Sequence, residues 1–532
     1  MEQEKQLTIR SVIIGLCGMV IITASSMYVA LKLGALPWPT VFVTITSFAV
    51  LNLFRKKPTL QEINVTHTLM SAGAMVAGGL AFTIPGYWMS GAQAEFPLVR
   101  LVVIAVCGAA LGVIFTTLYR SDLIEKHNLA FPMGRAAYDT LKAGAGGGTA
   151  ARILFSALVF SAVFTVFRDG LGLIPALATL IPATALTAAL QFYVSPMVLG
   201  IGAMIGPLYS LVWLGGAVFG YYILVPLLSV SGLVADVAAA EHFRQGLGIG
   251  LMLGTGVGVA LKILFTQARA IIRAGRSRQD GKRLLIPAAA LAGIAVVLCV
   301  FGGMSVIQSL LLIAGCALCC YLSGTLTGQT GINPMEIFGI LVFLLIGALT
   351  GASSIMMFSI AGVTAVACGL TGDVMNDLKS GSLLGTDHRA QLQAEAIGGI
   401  AGALVAVAVL LLLKKAFGFG ADSPFPAPQA AAVMAMVEGG FDSVAVLIGL
   451  ASGIVLFFLK APTATLGLGI YLPVYLSSSM GLGACVLLAI RPCSKNTSKV
   501  DAAVGQISSG LLGGEAITGV VLALIGIIGA AR

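Results

Sequence analysis

Long apolar runs alternate with short polar loops along the whole chain, from residues 9–33 near one end to 503–530 near the other. About 20 apolar residues in a helix cross the hydrocarbon core of a bilayer, and the runs are about 15 to 28 residues long. The pattern therefore predicts about 16 or 17 transmembrane helices. The alternating segments of about ten residues that an outer-membrane barrel requires do not occur. One apolar stretch, 171–190, is interrupted by Pro175 and Pro182 and is expected to dip into the membrane and return without crossing. The fold class is an all-α polytopic membrane protein with broken or re-entrant helices.

Glycine and proline inside the runs mark where helices should break: Ser71 to Gly73 with Gly78, Gly79 and Pro85-Gly86, Gly200 to Pro207, Gly467 to Pro473, and Gly510 to Gly519. Broken helices at membrane depth occur where the freed backbone lines protein or water, and their ends can bind charged groups. Several motifs come in pairs, in the same order. Gly34-Ala-Leu-Pro37 is echoed by Gly331-Ile-Asn-Pro334, and Phe131-Pro132, closing at Gly144, by Phe425-Pro426, closing at Gly439. Gly200-Ile-Gly202 with Pro207 is echoed by Gly467-Leu-Gly469 with Pro473, and Gly250 to Gly254 by Gly510 to Gly514. The chain reads as two transmembrane repeats, 1–283 and 284–532, with 284–302 as a linker helix. Counting crossings puts the first Phe-Pro motif in the cytoplasm and the second outside, so the repeats read as inverted.

Composition narrows the class further. Mean hydropathy is +1.02, 58% of residues are hydrophobic and 67 are glycine, which excludes an ordinary soluble domain. The net charge of +9 comes from Lys and Arg gathered in short loops, where they set orientation, so it points to no nucleic acid. Arg10 and the N-terminus are expected in the cytoplasm, and the first apolar run is too long for a signal peptide. Cys316, Cys319 and Cys320 fall inside one apolar run and read as small packing residues, not as a metal site. No metal and no cofactor is expected. GxxxxGK[ST], HExxH and GxSxG are absent, which argues against ATP drive within the chain and against a membrane-embedded enzyme.

Charge within apolar surroundings is the remaining signal. The stretch TGDVMNDLKSGSLLGTDHRAQLQAE, Thr371 to Glu395, concentrates charge in a chain that is only 10% charged. An ionised Asp at the centre of a membrane helix costs about 2.5 to 3.5 kcal/mol, so Asp373, Asp377 and Lys379 belong either to a solvated cytoplasmic turn or to a site that meets a substrate amine or a proton. If the helix continues, Asp373 and Asp377 share a face. Further acids in or near spans are Glu62, Asp169, Glu336, Glu395, Glu438 and Glu515. Among these Glu515, flanked by glycines, is favoured as a functional carboxylate over a structural partner for a buried base, and Glu336 could face a cavity. His67 lies in a polar neighbourhood with Asn64, Ser71 and Gly73. Tyr471 and Tyr475 could line a peptide cavity. Arg168 and Asp169 are expected to neutralise one another at the outer surface.

The segment Thr66 to Gly73 with Phe82 to Pro85, Phe131-Pro132 through Leu141 to Gly144, Ala427 to Ala430, and Asp377-Leu-Lys379-Ser-Gly381 with Leu384-Gly385 resemble the oligopeptide transporter (OPT) family, in its prokaryotic branch. That branch includes the yellow-stripe-like metal-chelate transporters. The resemblance runs collinearly over nearly the whole chain. It implies about 16 helices and cation-coupled uptake of small peptides or peptide-like metal chelates. Where the family has Phe-Pro-Glu-Gly, this chain reads Phe131-Pro132-Met133-Gly134. The expectation is a proton symporter of small oligopeptides in the cytoplasmic (inner) membrane, working by alternating access. Uptake of metal chelates by the same fold is the alternative, and a homo-oligomer is left open. The residues expected to bind substrate or proton are Asn64, His67, Ser71, Gly73, Glu336, Asp373, Asp377, Lys379, Tyr471, Tyr475 and Glu515.

Overall fold

The computed structural model describes residues 5–530 apart from 35, 37–39, 92–94, 145–148, 185, 275–280, 331–332, 439–441 and 494–496. Ala35, Pro37, Gly331, Ile332 and Gly439 of the paired motifs thus lie outside the described residues. The rest is almost entirely helical, as expected of a backbone that must satisfy its own polar groups in hydrocarbon. The first half holds α1 (Ile9–Leu33), α2 (Thr40–Asn52), α3 (Leu60–Ala81), α4 (Pro85–Met89), α5 (Leu98–Arg120), α6 (Pro132–Gly144), α7 (Thr149–Thr165), a hairpin of β1 (Leu177–Ile181) and β2 (Leu190–Tyr193), α8 (Pro196–Ile205), α9 (Pro207–Val218), α10 (Val225–Ser231) and α11 (Val237–Ala274). After α12 (Gly281–Val300) come α13 (Val306–Thr330), α14 (Met335–Thr350), α15 (Ser354–Leu384), α16 (His388–Phe417), α17 (Pro428–Glu438), α18 (Ser443–Phe458), α19 (Thr463–Tyr471), α20 (Val474–Ile490) and α21 (Thr497–Ala530).

Among the described residues, eight helices are long and apolar enough to cross a membrane, and the bent pair α17 and α18 would make a ninth. The number is below the count read from hydropathy because much of the apolar sequence folds into helices shorter than a span, α8, α14 and α20 among them. The fold is that of an all-α polytopic membrane protein.

The chain divides into two compact units, each taking a stretch from both halves. The first is Met1–Ala151, Ile263–Glu438 and Ala523–Arg532; the second is Arg152–Lys262 and Gly439–Leu522. The spatial units therefore cut across the boundary at 283/284.

At the centre of the first unit stand α3 and α15, where every residue from Glu62 to Ala81 and nearly every one from Phe358 to Gly381 is buried. They touch closely: a Cβ added at Gly79 would lie 2.6 Å from the backbone of Val366. Two loop-to-helix contacts recur here with the halves exchanged. The N–H of Phe131, just before α6, donates to Gly328 O near the end of α13 at 2.9 Å, and the N–H of Ala427, just before α17, donates to Leu31 O near the end of α1 at 2.9 Å. Both residues hold a positive φ, 45° and 42°, and both precede a proline that opens the helix.

The second unit repeats the exchange in its packing. A Cβ at Gly510 or Gly514 of α21 would lie 2.3 or 2.2 Å from Leu154 O or Leu158 O of α7. At Gly250 or Gly254 of α11 it would lie 2.3 Å from Val446 O or Leu450 O of α18. Glycine at four-residue spacing lets each pair of helices approach backbone to backbone.

Two expected helix breaks are absent. The glycines at 73 and at 510–519 do not break their helices; α3 and α21 run through them unbroken, because those glycines serve close packing. The breaks at Gly200–Pro207 and Gly467–Pro473 are present: α8 ends at Gly206, with φ 92°, and α19 ends before Pro473. The segment 171–190 contains no helix; Pro175 and Pro182 flank β1, which pairs antiparallel with β2.

Replacing Gly514 by Ala forces a methyl group onto a backbone carbonyl and should lower stability by about 1–3 kcal/mol. Gly215→Ala on α9, where an added Cβ meets nothing within 4 Å among the described residues, should be neutral or stabilising. Thermal unfolding of the two variants in detergent checks the opposite signs.

Candidate functional site

The charged stretch that could have been a solvated turn is helix. Helix α15 continues to Leu384 and only Gly385, in the left-handed region at φ 72°, stops it. Asp377, Lys379 and Ser380 are consequently buried on α15 against α3, α6 and α16.

Around Asp377 the polar groups form one connected set. The Ser71 hydroxyl of α3 donates a short hydrogen bond to Asp377 Oδ2, and His67 Nε2, one turn earlier, lies 3.5 Å from Oδ1. Asn64, a further turn back, donates to Ser380 Oγ at 2.7 Å, and Ser380 donates to Asp377 O at 2.8 Å. From α16, Gln391 Nε2 stands 2.8 Å from Asn64 Oδ1, 2.9 Å from Asp377 O and 3.2 Å from Thr68 Oγ1. Helical spacing explains the grouping, since Asn64, His67, Thr68 and Ser71 fall on one face of α3.

Two members of this neighbourhood are not satisfied. Neither ring nitrogen of His67 has a hydrogen-bond partner among the described residues, although the side chain has no exposure. Glu395 of α16 is 0% exposed and neither carboxylate oxygen has a hydrogen-bond partner among those residues. The Thr116 hydroxyl stands beside it but donates to Gly112 O at 2.8 Å, and Asp377 is close enough for the two charges to repel. An unpaired buried charge costs several kcal/mol, so this arrangement suits a group that gains and loses a proton or meets a ligand.

Other expected residues lie elsewhere in this unit. Asp373 Oδ2 accepts from Asn333 Nδ2 at 3.0 Å, on the side of α15 toward α13. Lys379 Nζ donates to Asn128 Oδ1 at 2.8 Å. Glu336 sits partly exposed in the first turn of α14, where the positive helix end favours an acid. Gly73 is a packing residue: a Cβ at Gly402 of α16 would lie 2.4 Å from its Cα.

The second unit treats its charge differently. Both oxygens of Glu515 are taken: Arg168 donates to Oε1 at 2.8 Å, Ser195 Oγ to Oε2 at 2.7 Å, and the N–H of Met197 at the start of α8 to Oε2 at 3.2 Å. Arg168 also binds Asp169 through two 2.7 Å bonds and donates to Val194 O at 2.8 Å. It is not a surface residue pairing with its neighbour alone, for its side chain has no exposure. Glu515 is thereby anchored as the partner of a buried base at a helix N-terminus. Arg244 donates to the last carbonyls of α19, Ile470 O and Tyr471 O, and lies 3.9 Å from the centre of the Tyr221 ring. Tyr471 contributes that carbonyl, and the Tyr475 ring stands 6.2 Å from that of Tyr193.

Gln391, Ser380 and Asn376 were not among the expected site residues. The signal for them was a polar residue inside an apolar helix, at three- or four-residue spacing from the acids.

Comparison with known proteins places these observations. The family model described as "OPT oligopeptide transporter protein" matches residues 6–525. A Haemophilus influenzae protein named "Putative oligopeptide transporter" is 26% identical over 586 aligned residues, covering 94% of this chain and 92% of its own length.

Replacing Arg168 by Met leaves Glu515 buried without its base and should cost about 3–5 kcal/mol, whereas the double variant with Glu515→Met should recover most of that loss. Thermal unfolding of single and double variants in detergent measures the difference.

Proposed function

Because this chain belongs to the OPT oligopeptide transporter family, we propose that it carries small oligopeptides inward across the cytoplasmic membrane as a proton symporter. The observation that carries the reading is the buried set of Asp377, His67 and Glu395, where the crossing of α3 and α15 holds more titratable groups than it has partners for. Structural ion pairs in this chain look different, as the saturated Glu515 and Arg168 show.

In the proposed cycle Asp377 is the proton carrier. Ionised, it accepts from Ser71 and sits beside His67; protonated, it no longer opposes a charge on Glu395. Both carboxylates are buried, where an ionised group is costly, so the cluster favours holding a proton and can release it when its surroundings change. Asn64, Ser380 and Gln391 hold the helices in register around the exchange. Asp373, one turn before the carrier on α15 and bonded to Asn333, is the residue that this reading assigns to the amino end of a peptide.

Alternating access in this reading comes from two inverted repeats, in which α3 and α15 are counterparts, as are α6 and α17. Support comes from the contacts that recur with the halves exchanged, Phe131 to Gly328 and Ala427 to Leu31. A transporter built so has two related arrangements of the same contacts available to it.

Proteoliposomes loaded with the protein should accumulate labelled tri- to pentapeptides when the outside is made acidic, and a protonophore should abolish the accumulation. With one proton per peptide, a difference of one pH unit supports about tenfold accumulation. Asp377→Asn should reduce that ratio to one. Accumulation indifferent to the pH gradient, or unchanged in Asp377→Asn, contradicts the reading.

A further inference from the structure

The face of α15 that meets α6 carries a second unsatisfied arrangement, opposite in sign to the acidic one. Asn376 is 1% exposed and accepts from the N–H of Gly134, in the first turn of α6, through Oδ1 at 3.1 Å. Because Oδ1 must be the atom that faces this donor, the orientation of the amide is fixed and Nδ2 is a donor. That Nδ2 has no hydrogen-bond partner among the described residues. It belongs to the same amide as the atom bound to the helix start, so it is aimed into the region where α6 begins.

Three residues further along the same face stands Lys379, 8% exposed. Its Nζ donates to Asn128 Oδ1, on the loop that leads into α6, and makes no ion pair among the described residues. The first turn of α6 contains no acidic residue, and Arg135 is near enough to oppose the charge of Lys379. The N-terminus of this helix, 13 residues long, adds its own positive end. A buried lysine and an unused amide donor thus lie three residues apart on the face of α15 that meets the start of α6, with no described anion bonded to either. Lys379 is itself buried, and the Asn128 that it bonds lies on the exposed loop before α6, so its ammonium stands between the helix packing and the surface. The fit is tight at the entrance, since a Cβ at Gly134 would lie 2.2 Å from Asn376 O.

We propose that Lys379, Asn376 Nδ2 and the N-terminus of α6 form the site that binds the C-terminal carboxylate of the transported peptide. This rests on the transport reading above and specifies which end of the substrate the cluster recognises. A carboxylate offers acceptors for an ammonium and an amide donor together and is favoured by the positive end of a helix, and charge-assisted bonds of this kind are the strong ones. A peptide without a free C-terminal carboxylate would leave all three unmatched.

The test uses the full-length protein in proteoliposomes and one tripeptide in two forms, the free acid and the C-terminal amide. Wild type should take up the acid about ten- to a hundredfold faster than the amide at low concentration. Lys379→Gln should lose most of that preference, through loss of uptake of the acid, and Lys379→Arg should keep part of it. Equal uptake of acid and amide by wild type overturns the proposal and leaves the transport reading standing. An unchanged preference in Lys379→Gln also overturns it. Failure of wild type to take up either form removes the transport reading and this assignment with it. Should Lys379→Gln not fold, as judged by size-exclusion chromatography, the wild-type comparison decides together with Asn376→Asp, whose added charge should suppress the acid more than the amide; the reverse order overturns the proposal.

Discussion

A polar side chain carried into the apolar interior of this protein has to find its partner within the chain, because lipid offers none and an unsatisfied group costs kilocalories. That constraint organises the molecule around the crossing of α3 and α15. Between Asn64 and Ser71 on one helix and Asp377 and Ser380 on the other, partners are found for hydroxyls, the Asn64 amide and one carboxylate. The crossing also holds His67 and, from α16, Glu395, for which hydrogen-bond partners are not found among the described residues. A fold that saturates Glu515 with three donors leaves these groups short at its centre. In the proposed cycle this contrast assigns Glu515 a structural role and the acids at the crossing a working one.

Close approach of backbones makes the crossing possible. Glycine at 79 and at 402 removes the side chain that would hold α3 away from α15 and α16, and the loss in helix propensity, about 1 kcal/mol for each glycine, is modest beside the packing that the approach allows. The same device recurs between α7 and α21 and between α11 and α18. Those contacts, and the paired turns at Phe131 and Ala427, each join a residue of one half of the chain to a residue of the other. Neither compact unit belongs to one half alone.

Much of this was legible in the sequence. Hydropathy identified a polytopic helical protein, since long apolar runs have few other ways to fold, and the Gly-Pro clusters at 200–207 and 467–473 marked breaks that are there. Hydropathy failed where charge and burial part company: residues 373–384 read equally as a solvated turn because they are polar, yet they are helix whose polar atoms are met by Ser71 and Asn128 from distant parts of the chain and by Gln391 of the next helix. Glycine was ambiguous for a similar reason, since a break and a close contact ask for the same residue. Glu515 drew attention as an acid among glycines, but the base that holds it lies at Arg168, 347 positions earlier in the chain. No local pattern reports a partner at such a distance.

The account stands or falls on whether the acidic cluster at the crossing exchanges a proton when peptide binds. Purified protein in a weakly buffered detergent solution containing a pH indicator can be mixed with a tripeptide and the proton uptake read directly. Wild type should take up protons on binding, and Asp377→Asn should bind with that uptake abolished. Binding by wild type without proton exchange, or the same exchange in the Asn variant, contradicts the central claim.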